Sequence, residues 1–416
     1  MPKGGRKSAQ KKAKRVEEGI NESLENQSVA SSQGSFETQS NPTDDIESTD
    51  ELGTEGEEIE TNFEQVLEDN IEGATEKNAK LRQTSMKAIS GTFAKHLIAD
   101  LVFERKDTIL DIIERSLKRG QTEDQVCAGP LSVLLCVQLG VGPDSEHIFK
   151  ILKPLLLATL QDPTARVPAR ASCASALALC CFLASDEHED LVQCVRALQN
   201  VFSSSHTAAM SDLFCECLFS WALLLSIAPD SLVEECVEKQ CRKIIKLMQH
   251  DDVNLRIAAG EVFALVCELG REKIEDFEPR QFGVLDILKD LATDGTKHRA
   301  KKDRRQQRSS FRDILRAIED GTVPEETVKF GQETMYLCTW TQRRQYASFK
   351  ELLGPGINLH LKENPLLRDI FELGQPVKLD TNGKASKNRR KLYNNAASKA
   401  RTISRGKHRD KRSFVH

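Results

Sequence analysis

Three short stretches of this chain resemble one another at a spacing that few folds produce. They are Asn78-Ala79-Lys80-Leu81-Arg82, Thr164-Ala165-Arg166-Val167-Pro168-Ala169-Arg170-Ala171 and Asp252-Val253-Asn254-Leu255-Arg256-Ile257-Ala258-Ala259. Each begins with turn or cap residues and then places an Arg ahead of an apolar helix rich in small residues. Arg82 and Arg170 are 88 residues apart and Arg170 and Arg256 are 86 apart, each twice a unit of 43 or 44. The intermediate positions also open helices, at Val126–Leu139 and from near Leu213 through Trp221 to Ile227. Leu135–Gly140 echoes Leu265–Gly270 at an offset of 130, about three units. A period of roughly 40–47 residues is that of HEAT and armadillo repeats.

The physical reason for stacking lies in the helices themselves. Cys173–Leu183 is apolar nearly all round, so neighbours must cover it on both sides. Stacked helix pairs provide that cover and generate an extended, curved surface. Aromatic residues make up only 5% of the chain, which favours helices over a sandwich or barrel. Gly140, Gly270, Pro143 and Pro229 are read as helix ends. The expected architecture is an all-α, armadillo/HEAT-like solenoid over residues 73–320. A disordered tail over 1–72 precedes it, a small, mainly helical unit over 321–380 follows, and a basic tail helix occupies 381–416. The longest apolar stretch, Leu218–Ala228, stops at Pro229, short of the ~20 residues a bilayer requires. The basic start runs into acidic sequence instead of an apolar leader, so the 12 Cys are read as free thiols.

The net charge of −4 conceals sharp segregation. Residues 1–15 carry seven basic and no acidic residues, whereas 16–79 carry 19 acidic residues and one Lys. Residues 295–316 hold nine basic against two acidic residues, and 384–412 hold twelve against one. Blocks of like charge repel themselves and often serve as interaction tails. Lys11–Arg15 reads either as a nuclear import signal or as a solubilising basic start.

Sequence motifs for catalysis are missing: there is no phosphate loop, no dinucleotide fingerprint, no HExxH and no GxSxG. Glu104, Asp107, Asp111 and Glu114 fall on successive turns of one helix, which reads as a solvated or Arg-paired face. Cys215-Glu216-Cys217, with His206 nearby, lacks the second ligand pair that a zinc site usually needs. The expectation is a non-enzyme without cofactor or metal.

Two basic blocks remain. The first comprises Lys297, His298, Arg299, Lys301, Lys302, Arg304, Arg305 and Arg308, with Asp303 as the lone acid among them. It leads into Phe311, Ile314, Leu315 and Ile318, whose spacing marks the buried stripe of a packed helix. The free N–H groups at that helix start, together with the planar guanidinium forks, suit phosphate. The second comprises Lys387, Arg389, Arg390, Lys391, Lys399, Arg401, Arg405, Lys407, Arg409, Lys411 and Arg412. Self-repulsion weakens such a helix alone, and contact with nucleic acid relieves it. Structured RNA is the expected polyanion, because no DNA-reading module accompanies either block; nuclear import is the competing use. Between the blocks, Trp340, Tyr346 and Arg343-Arg344 either stack on exposed bases or fill a small core.

These residues resemble a known family. Asp252–Glu261 (DVNLRIAAGE), Leu291–Glu319 (LATDGTKHRAKKDRRQQRSSFRDILRAIE), Leu366–Gly374 (LLRDIFELG) and Leu392–Arg412 (LYNNAASKARTISRGKHRDKR) are similar to the interferon-related developmental regulators. The likeness spans roughly residues 75–412, and the N-terminal tail departs from it. It implies an armadillo- or HEAT-like fold without enzymatic activity. It implies binding to translationally inactive eukaryotic ribosomes, through rRNA and ribosomal proteins, with tRNA sites occupied and the C-terminal helix in the mRNA path. It also implies the alternative of transcriptional co-regulation with histone deacetylase complexes. The expected location is cytoplasmic, with a nuclear pool as the alternative.

Overall fold

The computed structural model describes residues 55–204, 208–294 and 300–376. Helices follow one another in pairs: α1 (Glu55–Thr75) with α2 (Ala79–Lys95), α3 (Ala99–Arg119) with α4 (Thr122–Leu139), and α5 (Pro143–Gln161) with α6 (Val167–Ala184). The series continues with α7 (His188–Phe202) and α8 (Ser211–Leu225), α9 (Asp230–Leu247) and α10 (Val253–Lys273), and α11 (Val284–Thr293) and α12 (Lys301–Asp320). Each even-numbered helix also packs on the next even one, from α2 through to α12. The fold is an all-α helical solenoid. The even helices form its spine, which explains why α4, α6, α8 and α10 are apolar on nearly every side. By length and composition α6 alone among the described helices would suit a membrane, but 67% of it is buried inside the stack.

The recurring Arg is a structural device. Arg82 donates to the carbonyls of Glu76 at 3.1 Å and Lys77 at 3.4 Å, and reaches Asp124 of the next even helix at 2.8 Å. Arg170 donates to the Leu160 carbonyl at 2.9 Å. Arg256 donates to the carbonyls of His250 at 2.6 Å and Asp251 at 2.9 Å, and to Gln307 of the next even helix. Each Arg thus supplies donors to carbonyls at the end of the preceding odd helix or in its loop, groups that a helix terminus leaves unmatched. Arg82 and Arg256 also tie their own unit to the following one.

Two expectations change. The tail was expected to be unstructured through residue 72, but helix α1 begins at Glu55 and buries Leu67, Ile71 and Ala74 against its partners. That stripe has meaning only when α2 and α3 are there to receive it; residues 1–54 lie outside the described ones. Gly270 was read as a helix end but sits inside α10, where the Phe277 ring lies 2.6 Å from where a Cβ would be. It is a close-packing glycine. Gly140, by contrast, does end α4, with φ +74°.

The C-terminal unit defines the surface of the even helices. Strands β1 (Glu326–Phe330) and β2 (Glu333–Leu337) form an antiparallel hairpin, followed by α13 (Trp340–Leu353), α14 (Ile357–Glu363) and α15 (Pro365–Ile370). These elements lie across the even helices. α13 packs on α8 and α10, and its Phe349 meets Phe182 of α6 edge-on at 6.1 Å between centroids. The Glu268 carboxylate of α10 accepts from the backbone N–H groups of Trp340 at 2.8 Å and Thr341 at 3.0 Å, which caps α13. Further along, His360 donates to the Phe93 carbonyl of α2 at 3.1 Å, and Asn364 to the Val137 carbonyl of α4 at 3.2 Å. The even-helix face is therefore largely covered by the chain's own residues 340–370.

Candidate nucleic-acid interface

Helix α12 is fastened from inside. Phe311 and Ile314 are fully buried, and a Cβ on Gly260 of α10 would come within 2.9 Å of both side chains, so any larger residue there would displace them. Gln307, in the middle of the basic run, is 1% exposed. Its Oε1 accepts from Arg256 Nε at 3.0 Å and Nη2 at 2.5 Å, and its Nε2 donates to the Leu291 carbonyl at 3.2 Å and to Asp294 at 3.3 Å. One amide thereby joins α10, α11 and α12 and sets the rotation of α12 about its axis. At the far end, Arg271 of α10 donates to the Ala317 carbonyl at 2.8 Å and to the Ile318 carbonyl.

With that rotation set, Lys301, Lys302, Arg305, Arg312 and Arg316 are exposed, and Arg304 and Arg308 are half-buried. Lys301, Arg305, Arg308, Arg312 and Arg316 recur at three- or four-residue intervals and so form one stripe. At a rise of 1.5 Å per residue the stripe is roughly 22 Å long. The acids nearby are engaged at the side: Asp313 lies 3.6 Å from Arg316, and Glu319 3.5 Å from Lys289 of α11. The N-cap residue is Ala300, whose side chain has no oxygen with which to cap the helix start. Arg312 and Arg316 extend the stripe beyond the residues singled out from sequence. Their four-residue spacing after Arg308 was the signal. Lys297, His298 and Arg299, and every cation from Lys387 to Arg412, lie outside the described residues.

The aromatic and arginine group of the C-terminal unit is not a base-stacking platform. Trp340 and Tyr346 are buried at 7% and 6% exposure. Arg343 donates to the Pro324 carbonyl at 3.0 Å and lies 5.3 Å from the Trp340 ring centre. Arg344 lies over Phe219 of α8 at 4.3 Å. Their aromatic surface is used to dock α13.

That docking encloses charge. Glu216 of α8 lies in a crevice with Ser175, Ser220, Arg344, Ser348 and Glu351. Burial, then the nearby Glu351 carboxylate, raise its carboxyl to about 7, against the opposing pull of Arg344 and hydrogen bonds with Ser175 and Ser220. Burial likewise raises Glu261 of α10, which faces Arg344 and Arg343. The neighbouring Cys217 is fully buried, its thiol pushed up by burial. Among the described residues no group of three His, Cys, Asp or Glu side chains is placed to hold a metal. On the acidic face of α3, Asp107 and Asp111 are exposed and Glu114 pairs with Lys118.

Comparison with known proteins finds sequence relatives over most of the chain. Residues 30–319 match the family model described as "Interferon-related developmental regulator", and residues 364–413 match that of the "Interferon-related protein conserved region". The chain is 43% identical to interferon-related developmental regulator 1 of Sus scrofa, over 89% of this chain and 85% of that one. It is 42% identical to interferon-related developmental regulator 2 of Mus musculus, over 85% of this chain and 84% of that one. An uncharacterized protein of Schizosaccharomyces pombe is 22% identical over 37% of this chain and 39% of its own length.

Proposed function

The chain belongs to the interferon-related developmental regulator family, and on that premise we propose that it is a non-catalytic ribosome-binding factor. It associates with translationally inactive ribosomes and occludes tRNA sites and the mRNA path through contacts to rRNA, a form of translation repression or ribosome hibernation. One observation carries the reading. The cations of α12 form one stripe, exposed at Lys301, Arg305, Arg312 and Arg316 and half-buried at Arg308, on a helix whose rotation is held by a buried amide and a buried arginine. A charged face of no consequence would be interspersed with acids. This one is backed by internal fastening, and a second block of twelve cations against one acid stands at residues 384–412. Phosphate-rich RNA answers both blocks. Such a protein works in the cytoplasm.

The experiment is co-sedimentation with vacant ribosomes through sucrose at two ionic strengths, with and without nuclease. Sign reversal of Lys301, Arg305, Arg312 and Arg316 together, and deletion of residues 384–416, are each expected to abolish salt-resistant capture. Intact capture after both changes refutes the function.

A second reading is a nuclear transcriptional co-regulator scaffold that binds histone deacetylase-containing complexes. The relatives' name, that of developmental regulators, supports a regulatory role. Separate substitution of Lys11–Arg15 and of the tail cations distinguishes the two. Altered localisation with intact ribosome association supports the scaffold.

A further inference from the structure

Helix α12 closes the even series, and α10 and α11 pack on its inner side. The last unit of a stack needs only a polar outer face to stay soluble, and mixed charges would serve. Here one sign runs in one row. With about 100° between successive residues, Lys301, Arg305, Arg308, Arg312 and Arg316 fall within an arc of about 80°. The buried Gln307, Phe311, Ile314 and Ile318 fall within an arc of about 60° on the far side. Among the described residues the flanks carry no second row. One holds Lys302, Gln306, Asp313 and Asp320, and on the other Leu315 packs against the core. Glu319, in line with the row and paired with Lys289, ends it after Arg316.

A groove of nucleic acid is bordered by a row of phosphates on each side. A free α-helix, about 10–12 Å across, fits a B-form major groove about 12 Å wide and meets both rows. Helix α12 cannot enter, because α10 and α11 occupy its inner side. The A-form major groove is deeper and narrower still. Bases outside a duplex are instead received by stacking on exposed aromatic side chains. Phe311, the one aromatic of α12, is fully buried, and Trp340 and Tyr346 are buried where α13 docks. A line of phosphates is what the row can meet. A duplex holds such a line in place, whereas a loose single strand has to be ordered first.

We propose that α12 is a base-blind reader of double-helical RNA: its cation row lies lengthwise on the phosphodiester backbone of one strand, and its four exposed cations engage about four phosphates. The inference rests on the ribosome binding proposed above and specifies the ligand of that same site. It uses neither a groove nor a base edge, so the contact is set by charge and by the straightness of the helix.

The test compares the full chain with a variant carrying Lys301→Gln, Arg305→Gln, Arg312→Gln and Arg316→Gln together, by fluorescence anisotropy on short RNA duplexes. The ratio of parent to variant affinity isolates the row, because both chains keep every other cation. From 50 to 200 mM salt the parent should lose roughly 60-fold more affinity than the variant, for a slope difference of about 3. Each half of the row, Lys301→Gln with Arg305→Gln or Arg312→Gln with Arg316→Gln, should account for roughly eight-fold, which keeps the test decisive if the fourfold variant fails to fold. These factors should be equal for duplexes of unrelated sequence. They should stay within about three-fold when either strand alone is built with uncharged methylphosphonate linkages, and vanish when both are. Factors that change with base sequence overturn the proposal, because they mark base reading. So does their collapse when one strand alone is uncharged, which marks a contact that spans two phosphate rows. A row that adds nothing on any duplex, while the variant loses ribosome capture, overturns it too and assigns the row to ribosomal protein. Unchanged ribosome capture with the duplex pattern intact removes α12 from the proposed function and leaves the strand reading standing.

Discussion

Replacing Gln307 by Leu removes no charge and little volume, yet it is expected to disable the cationic stripe. Gln307 and Arg256 are each 1% exposed. Leu fills the space but withdraws the oxygen that accepts from Arg256 Nε at 3.0 Å and Nη2 at 2.5 Å. It also withdraws the donor to the Leu291 carbonyl and to Asp294. Arg256 Nη1 stays held by the carbonyls of His250 and Asp251. Hydrogen bonds to a charged group contribute about 1.5–3 kcal/mol each, and a buried charge stripped of its partner costs about 3–5 kcal/mol. Two such bonds are lost, so a destabilisation of roughly 3–5 kcal/mol is expected. Because each unit of a solenoid contacts only its neighbours, the loss should concentrate in α11 and α12. Urea unfolding gives the total, and amide hydrogen exchange gives its location. Gln307→Glu keeps an acceptor for Arg256 but faces Asp294, and should lose about half as much or less. Ribosome association of Gln307→Leu should fall although every Lys and Arg is present. A total cost below about 1 kcal/mol, or protection lost evenly along the chain, refutes the idea that this amide holds the stripe.

Three further outcomes follow from the same geometry. Neutralising Lys301, Arg305, Arg312 and Arg316 to Gln should lower the slope of log affinity against log salt for RNA by roughly 3, at ~0.7–0.9 per phosphate contact; an unchanged slope means the stripe touches no phosphate. Gly356→Ala should detach the C-terminal unit, because a Cβ there would stand 1.7 Å from the Ala94 carbonyl oxygen of α2; limited proteolysis should then cut within residues 338–373 while α1–α12 stay protected. Docking of α13 should weaken as pH rises. Glu216 holds its proton up to about 7 when buried but only to about 4.5 when exposed. The docked form therefore binds more protons between those values, and stability falls across that window by up to roughly 3 kcal/mol. Glu216→Gln should flatten the thermal-melting profile between pH 5 and 8 and raise stability at the alkaline end. A Glu216→Gln profile as steep as the parent's would assign the effect elsewhere.

Much of the solenoid could be read from the order of residues. The Arg82, Arg170 and Arg256 landmarks give a period because each arginine answers the same local need, the unmatched carbonyls before its helix. The intermediate units lack that arginine, and the reason appears only in space: Asp124 and Gln307 on the following even helices receive Arg82 and Arg256. The echo between Leu135–Gly140 and Leu265–Gly270 places one polar residue at matching positions, Gln138 and Glu268. Gln138 donates to the carbonyls of Phe93 and His96 at the end of α2, whereas Glu268 caps α13 from 72 residues away. Identical pattern, different partner: periodicity reports that a side chain is buried, not what buries it. The basic stripe was visible as composition, but its extension to Arg312 and Arg316 needed the helix rotation. That rotation hangs on Gln307, which reads as a surface glutamine among arginines.

What the linear chain determines by itself is whatever local chemistry enforces: where helices start and stop, which ones are too apolar to stand alone, and where like charges gather. Only the folded molecule decides what covers what. Residues 340–370 read from sequence as part of a separate small unit, yet they cover the even-helix face. They dock there because Glu268, Phe93 and Val137 offer acceptors that lie far from that segment in sequence and adjacent to it in space. Trp340 and Tyr346 follow the same logic. An aromatic beside an arginine has the same sequence signature whether it waits for a base or seals an interface, and the energy of burial settles which only once the receiving surface exists.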